Sequence, residues 1–339
     1  MKRIFMIVIM SIVLVACAQS SPGQTTEDGT VIPVADVARD PAVIATPSLP
    51  GRLLLAKAGN LVMWANGNLQ QLTVSGDAWH PAFSRDGTRI VFVRRGQSYS
   101  DIMLTSSAGG EAIQLTDNGS RHPLQSFERM YDSMWAFYPT FTPDGNRIAY
   151  ASQYGPPEGS PAAEYRLIMY VMDARAGAQR TSAYADGTGN IGRMIFENDG
   201  DHVIFEFNPA VEGDPRILRY SIAQGTLSVP TGVPNQSYDP ALSPDNARLY
   251  FAKRDDQATD IYMLAFGTTT AQKITTLGTA RSPEISPDGE WMVFLAIPEG
   301  ASGFELWAQK LKDGLPDGDP VQMTRDQHFD GDSGISWGQ

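Results

Sequence analysis

Four histidines and a single cysteine hold most of the metal-binding and nucleophilic capacity of this 339-residue chain. His80 precedes Pro81, Tyr138 precedes Pro139, Asp239 precedes Pro240 and Ser282 precedes Pro283. Asp330 and Asp332 occupy the corresponding approach near the C-terminus, with His328 close by. Brought together, His80, His328, Asp239 and Asp332 would offer imidazole nitrogen and carboxylate oxygen, a donor set that suits a divalent cation. The same groups could instead bond to loop amides or to water. Gly331-Asp-Ser-Gly334 copies the nucleophile loop of a trypsin-like protease, but only five residues follow it and one cysteine allows no internal disulfide. A chance match is the better reading. A Gly-x-Ser-x-Gly elbow, a phosphate loop and His-Glu-x-x-His are all absent.

Cys17 has a chemistry of its own. Lys2 and Arg3 precede a twelve-residue apolar run, Ile4 to Val15, broken only by Ser11. That run is short of the ~20 residues a spanning helix needs and suits the core of a signal peptide. It ends Leu14-Val15-Ala16-Cys17, which resembles the bacterial lipobox: an aliphatic residue, small residues, then the cysteine to be acylated. Residues 1–16 are therefore expected to be a lipoprotein signal peptide, and Cys17 the lipidated N-terminus that holds the protein to a membrane. Residues 17–50 are rich in Ser, Thr, Pro and Ala without sustained periodicity, as in a flexible tether. A net charge of −12 and a pI near 4.8 argue against nucleic acid or anionic lipid as the main ligand.

The elements that must position these residues come from a repeat. Pro81-Ala-Phe-Ser-Arg-Asp-Gly, Pro139-Thr-Phe-Thr-Pro-Asp-Gly, Met194-Ile-Phe-Glu-Asn-Asp-Gly, Pro240-Ala-Leu-Ser-Pro-Asp-Asn and Pro283-Glu-Ile-Ser-Pro-Asp-Gly each run into an apolar strand. Their aspartates, Asp86, Asp144, Asp199, Asp245 and Asp288, are spaced 58, 55, 46 and 43 residues apart. Pro presets a turn, Asp bonds back to the turn amides, and Gly or Asn accepts positive φ, so each copy predicts a hairpin. Two further strand signals follow in each copy, such as Asp101-Ile-Met-Leu and Gln114-Leu-Thr in the first and Arg166-Leu-Ile-Met-Tyr-Val and Gln179-Arg-Thr in the second. Four antiparallel strands every 40 to 60 residues is the pattern of a propeller blade.

The count also closes a ring. Arg52-Leu-Leu-Leu-Ala, Asn60-Leu-Val-Met-Trp and Gln70-Gln-Leu-Thr supply three strands with no first strand, and Ser333-Gly-Ile-Ser-Trp-Gly supplies a first strand at the other end. The expected fold is all-β: a six-bladed β-propeller of four-stranded blades over residues 51–339, one blade shared between the N- and C-terminal strands. The Pro-x-Phe-Ser-Pro-Asp-Gly hairpins and the Gly109-Gly-Glu-Ala-Ile-Gln-Leu-Thr ending resemble the WD-like repeats of the TolB propeller family. The resemblance implies a propeller scaffold; a place in the cell envelope is expected from the lipobox at Cys17. TolB itself carries an α/β domain ahead of its propeller and is soluble in the periplasm, so its role with the Tol-Pal system is not carried over.

In a propeller the residue before each first strand faces the mouth of the central channel, which places His80, Tyr138, Asp239, Ser282 and Asp332 there. His122 lies in a loop, and His202 in a hairpin on the opposite side. Arg94–Ser100, Gln153–Tyr165, Asn208–Arg216, Lys253–Thr259 and Ile297–Phe304 are read as long loops between second and third strands, all on the mouth face. An insertion, Ser120–Phe137, adds Phe127, Met130, Tyr131, Met134, Trp135 and Phe137, six aromatic or Met residues in eighteen. These either pack as a satellite core or bind a partner. The favoured function is a monomeric, non-enzymatic, lipid-anchored scaffold without a cofactor that binds a protein or peptide through this face. The alternative is a metal-dependent carbohydrate lyase with its site at the channel mouth, where related chemistry uses histidines and a divalent metal.

Overall fold

The structure, a computed structural model, describes residues 47–154, 160–161 and 165–339. Cys17 and most of the expected tether lie outside them. The described strands form six sheets, each antiparallel, and each the blade that the repeat predicts. Blade 1 runs Ala78–Phe83, Arg89–Arg95, Ser100–Ser106 and Ile113–Gln114 from the inside outward. Blade 2 runs Ala136–Phe141, Arg147–Gln153, Leu167–Asp173 and Thr181–Tyr184, its outer strand displaced two residues from the Gln179 start that the pattern suggests. Blades 3 and 4 begin with Gly189–Phe196 and Ser237–Leu242. Blade 5 begins with Arg281–Ile285 and carries an extra hairpin strand, Leu315–Pro316, between its third and outer strands.

Blade 6 joins the two ends of the body. Ser336–Gly338 pairs with Arg52–Lys57, with Leu53 opposite Trp337 and Leu54 opposite Ser336, and Asn60–Ala65 and Asn68–Gln71 complete the sheet. Leu53, Leu55 and Trp64 are fully enclosed there against Val293, Leu295 and Leu306 of blade 5. Trp337 donates its indole N–H to the Pro50 carbonyl at 2.7 Å. The core is thus a set of apolar seams between blades rather than one central mass, as stacked twisted sheets require.

The hairpins form by side-chain chemistry. Ser84 Oγ donates to Asp86 Oδ1 at 2.5 Å, the Thr88 N–H donates to the same oxygen at 3.1 Å, and the Arg89 N–H donates to Ser84 Oγ at 3.0 Å. The same contacts recur at Thr142/Asp144, Ser243/Asp245 and Ser286/Asp288. Ser84 and the Thr88 amide hold the Asp86 carboxyl down at about 2. Asn246 adopts φ 56° where the other copies place Gly.

One expected loop is not a loop. Arg248–Asp255 and Ala258–Ala265 meet through a two-residue turn, Asp256-Gln257, so Lys253–Thr259 is continuous ladder. Asp256 takes φ 51°, a value a tight hairpin needs and Asp tolerates.

Deleting Ser333–Gln339 removes the inner strand of blade 6 and uncovers Leu53 and Leu55. We expect a loss of on the order of 3–5 kcal/mol, roughly 10 °C in thermal unfolding followed by circular dichroism. An unchanged melting temperature would show that the ring does not depend on this pairing.

Candidate functional site

The channel mouth is built by a backbone irregularity repeated around the ring. Each inner strand slips register against its neighbour, between Trp79 and Ala82, Phe137 and Thr140, Ile191 and Met194, Tyr238 and Ala241, and Arg281 and Glu284. A bulge of this kind bends the strand and re-aims the extra residue. His80, Tyr138, Asp239 and Ser282 sit in these bulges with φ of 47°, 51°, 50° and 53°, and Gly334 takes the equivalent place in blade 6 with φ 74°. Such values are rare outside glycine and cost on the order of 1–3 kcal/mol each, so the fold holds four of them against their preference. The proline that follows each of the four lacks an N–H and leaves no orphan donor in the bulge.

Blade 3 breaks the pattern. Its register slip falls at Gly192 and Arg193, so Arg193 stands at the place of His80 and Asp239, and Met194 follows where four other blades carry Pro. The Arg193 guanidinium crosses the channel to blade 6. A Cβ on Gly334 would fall 1.6 Å from Arg193 Nη2, so only glycine leaves room for it. Arg193 Nε lies 3.7 Å from Asp239 Oδ1, and its Nη2 is buried without a hydrogen-bond partner among the described residues.

Asp239, 3% exposed, is the hub of the mouth. Arg281 Nε donates to Asp239 Oδ2 at 3.0 Å, the Ser282 N–H donates to it at 3.1 Å, and Ser282 Oγ lies 3.2 Å away. Arg281 Nη1 then donates to Asp332 Oδ1 at 2.6 Å. Burial by itself would raise the Asp239 carboxyl, but Arg281 and Arg193 hold it below its usual range. Glu206 is raised, by burial and by the charge of Asp239. His80 is pushed down to about 3 by burial, with the charges of Arg193 and Arg95 adding to the effect, so its ring is neutral. That ring stacks on Tyr138 at 4.3 Å between centroids, and Nδ1 accepts a long 3.4 Å hydrogen bond from the Tyr138 N–H.

Of the four residues considered for a cation, Asp239 and Asp332 do approach one another, but around the guanidinium of Arg281. His80 faces Tyr138 and Arg193. His328 is elsewhere: its N–H donates to Glu305 Oε1 at 3.2 Å and its ring packs on Gly303. His122 stands 3.9 Å from Asp132 on the surface. On the hairpin face Glu197, Asp199 and His202 bring ligand atoms within 4.8 Å of one another. There Arg219 engages Glu197 through two hydrogen bonds, at 2.5 and 2.8 Å, and His202 Nδ1 bonds Asp199 at 2.6 Å. The Gly331–Gly334 segment is a turn leading into the last strand, with the Ser333 N–H bonded to Asp330 O at 3.2 Å.

The insertion between blades 1 and 2 is tied down rather than loose. It contains one helical turn, Arg129–Asp132, and Arg129 is buried, donating to His122 O at 2.8 Å and Ser98 Oγ at 3.1 Å. Ser100 Oγ donates to Ala136 O at 2.7 Å, and the Trp135 N–H donates to Gln153 Oε1 at 2.5 Å. Met134 is buried and receives the Arg180 guanidinium at 3.6 Å, so it belongs to the packing, not to the surface. Phe127, 70% exposed, meets Tyr131 edge to face, and Met130 stands exposed beside them.

Trp135 and Phe137 belong to a longer array that only the fold assembles. Arg95 lies over the rings of both Trp79 and Trp135, at 5.1 and 5.8 Å. Trp135 is parallel to Phe137 at 6.0 Å, Phe137 meets His80 edge-on at 6.0 Å, and His80 stacks on Tyr138. This half-buried ladder runs across the loop face to the channel mouth. Sequence reading missed Trp79, Arg95, Arg193 and Arg281. For Arg193 a signal existed, the missing proline in the third copy of the repeat; for the others none did.

Arg281→Met should cost about 3 kcal/mol, because it strands Asp239 as a buried charge. The double variant Arg281→Met, Asp239→Asn should recover most of that loss in denaturant unfolding. Equal destabilisation of single and double variants would mean that the pair is not coupled.

No protein-family model matches the chain, and no curated protein matches it in sequence. Solved structures do match it in three dimensions. TolB from Acinetobacter baumannii is 18% identical with a TM-score of 0.65, covering 86% of this chain and 68% of that one. A putative TolB from Agrobacterium tumefaciens is 14% identical with a TM-score of 0.61, covering 85% and 97%. A chain of a nidogen/laminin complex is 11% identical with a TM-score of 0.59, covering 84% and 97%. Identities this low speak to architecture alone. By its fold, this chain is a six-bladed β-propeller similar to the propellers of the TolB structures.

Proposed function

We propose that the protein is an extracytoplasmic binding scaffold, held to a membrane through a lipid on Cys17, that captures a protein or peptide on its loop face. The observation that carries this reading is the ladder from Trp79 through Arg95, Trp135 and Phe137 to His80. Trp, Tyr and Arg are the residues that dominate interface energetics, and half-buried rings with fixed neighbours bind at little entropic cost. Exposed Phe127 and Met130 widen the same face. A TolB-type propeller suits a protein-binding role, and one structural neighbour is a chain of a nidogen/laminin complex.

The mouth carboxylates support binding rather than catalysis. Asp239 and Asp332 are committed to Arg281, and His80, stacked on Tyr138 with Nδ1 accepting from the Tyr138 N–H, lies beside the positive charge of Arg193, which opposes a metal ion there. The anchor rests on the Leu14-Val15-Ala16-Cys17 motif, and among the described residues no helix is long and apolar enough to cross a membrane.

Two experiments test the two halves of this proposal. Cys17→Ser should move the protein from the membrane to the soluble fraction while its thermal unfolding is unchanged; firm retention in the membrane would remove the lipid anchor. Trp135→Ala with Tyr131→Ala should weaken capture of envelope proteins at least tenfold, about 1.4 kcal/mol, with a small change in melting temperature. A large fall in melting temperature with normal capture would make the insertion a satellite core instead.

A further inference from the structure

The face opposite the ladder holds a second cavity. The last residue of the inner strand is apolar in five blades, Phe83, Phe141, Phe196, Leu242 and Ile285, and Trp337 holds the equivalent register position in blade 6. Together they wall a funnel of about 270 Å³ where the channel opens among the Pro-Asp-Gly hairpins. One residue further in, the equivalent positions are Ala82, Thr140, Ile195, Ala241 and Ser336, all uncharged, and in blade 5 Glu284. Glu284 lines both this funnel and the chamber of about 90 Å³ above it, beneath Arg193, and so stands in the throat between them. Among the described residues no Lys or Arg comes within ion-pair distance of its carboxylate.

We propose that the funnel binds a small organic amine, its apolar body against the ring of Phe83, Phe141, Phe196 and Trp337 and its ammonium group on the Glu284 carboxylate. A concavity that joins an apolar ring to a few convergent polar groups is the usual construction of a small-molecule site. The wall pairs this apolar ring with polar hairpin side chains, among them Asn198, Asn246 and Arg85. At the position of Glu284 a carboxylate is not required by the fold, since Ala, Thr, Ile or Ser serves in the other five blades. An unpaired carboxylate there is costly, and a cation that brings its own apolar cover offsets that cost.

The groups that face Glu284 are of both signs. Arg193 stands on the chamber side with Asp239 and His80 beyond it. Arg85 stands on the funnel rim, where it donates to Asn198 Oδ1 at 2.8 Å. Burial raises Glu284 to about 7, with Arg193 and the Ile285 N–H opposing the rise. Amine binding requires the ionised carboxylate, so affinity should increase from pH 6 to pH 8 and binding should release a proton near pH 7.

Cyclohexylamine and its neutral counterpart cyclohexanol are suitable probes, followed by calorimetry and by the fluorescence of Trp337 in the full chain. Cyclohexylamine should bind at least tenfold more tightly than cyclohexanol at pH 8, and Glu284→Gln should abolish that preference. Thermal unfolding of the Gln variant, expected to match or exceed the parent because a half-buried carboxylate without an ion-pair partner is removed, separates lost binding from lost fold. Equal binding of the two probes, no binding of either, or an amine preference that survives Glu284→Gln would each overturn the proposal. A short peptide whose lysine binds more tightly than the free amine, and whose acetyl-lysine form does not, would also overturn it, by moving the source to a partner protein. The site lies on the face away from the ladder, so the Trp135 and Tyr131 variants leave this result untouched.

Discussion

Three strand residues at the C-terminus hold the ring shut. The pairing of Ser336–Gly338 with the strand from Arg52 joins residues almost 290 positions apart and turns five sheets and a remnant into a closed circle. Without it the strand from Arg52 is an open edge, and the seam of Leu53, Leu55 and Trp64 faces water. Every other feature follows from closure. A channel exists only if the inner strands surround it, and a bulge aims a side chain at the mouth only if five others face it.

Closure creates an electrostatic problem that the chain solves internally. Asp239 is driven into the mouth by its bulge and would be unstable as a lone buried carboxylate. Arg281 from the next blade and Arg193 from the preceding one neutralise it, and Asp332 takes the other end of Arg281. The mouth is therefore a charge-balanced plug, in which arginine occupies the place that the residue types alone would assign to a cation. Glu284, lower in the channel, has no such ion-pair partner among the described residues. That contrast separates a structural acid from one available to a ligand.

The two ends of the channel differ for the same geometric reason. Loops between second and third strands and the insertion of Ser120–Phe137 emerge at the mouth, so aromatic side chains collect there. The opposite end receives the short Pro-Asp-Gly hairpins, whose backbone and side chains are consumed by their own turns. The apolar ends of the inner strands line it, with hairpin residues such as Arg85, Asn198 and Asn246 at the rim. One face is suited to a macromolecular surface and the other to a small body in a funnel.

Local patterning alone determined the strands and hairpins, because each depends on residues within a dozen positions; counting their copies then left three strands at one end and one at the other, which make up the shared sixth blade. Proline, aspartate and glycine at fixed offsets dictate a turn wherever they fall, and alternation dictates the strands beside it. The same patterning placed His80, Tyr138, Asp239 and Ser282 at the mouth, since all four precede a proline at one point of the repeat. It overextended the loop at Lys253–Thr259, where a two-residue turn without glycine still closes a hairpin. Which side chains meet across the ring was decided only in three dimensions. Arg193 reaching over Gly334, Arg281 entering between Asp239 and Asp332, Arg95 inserting between Trp79 and Trp135, and Glu284 standing alone in the throat all join different blades. Their meeting is set by the radius and twist of the closed circle, and no sequence period records those quantities.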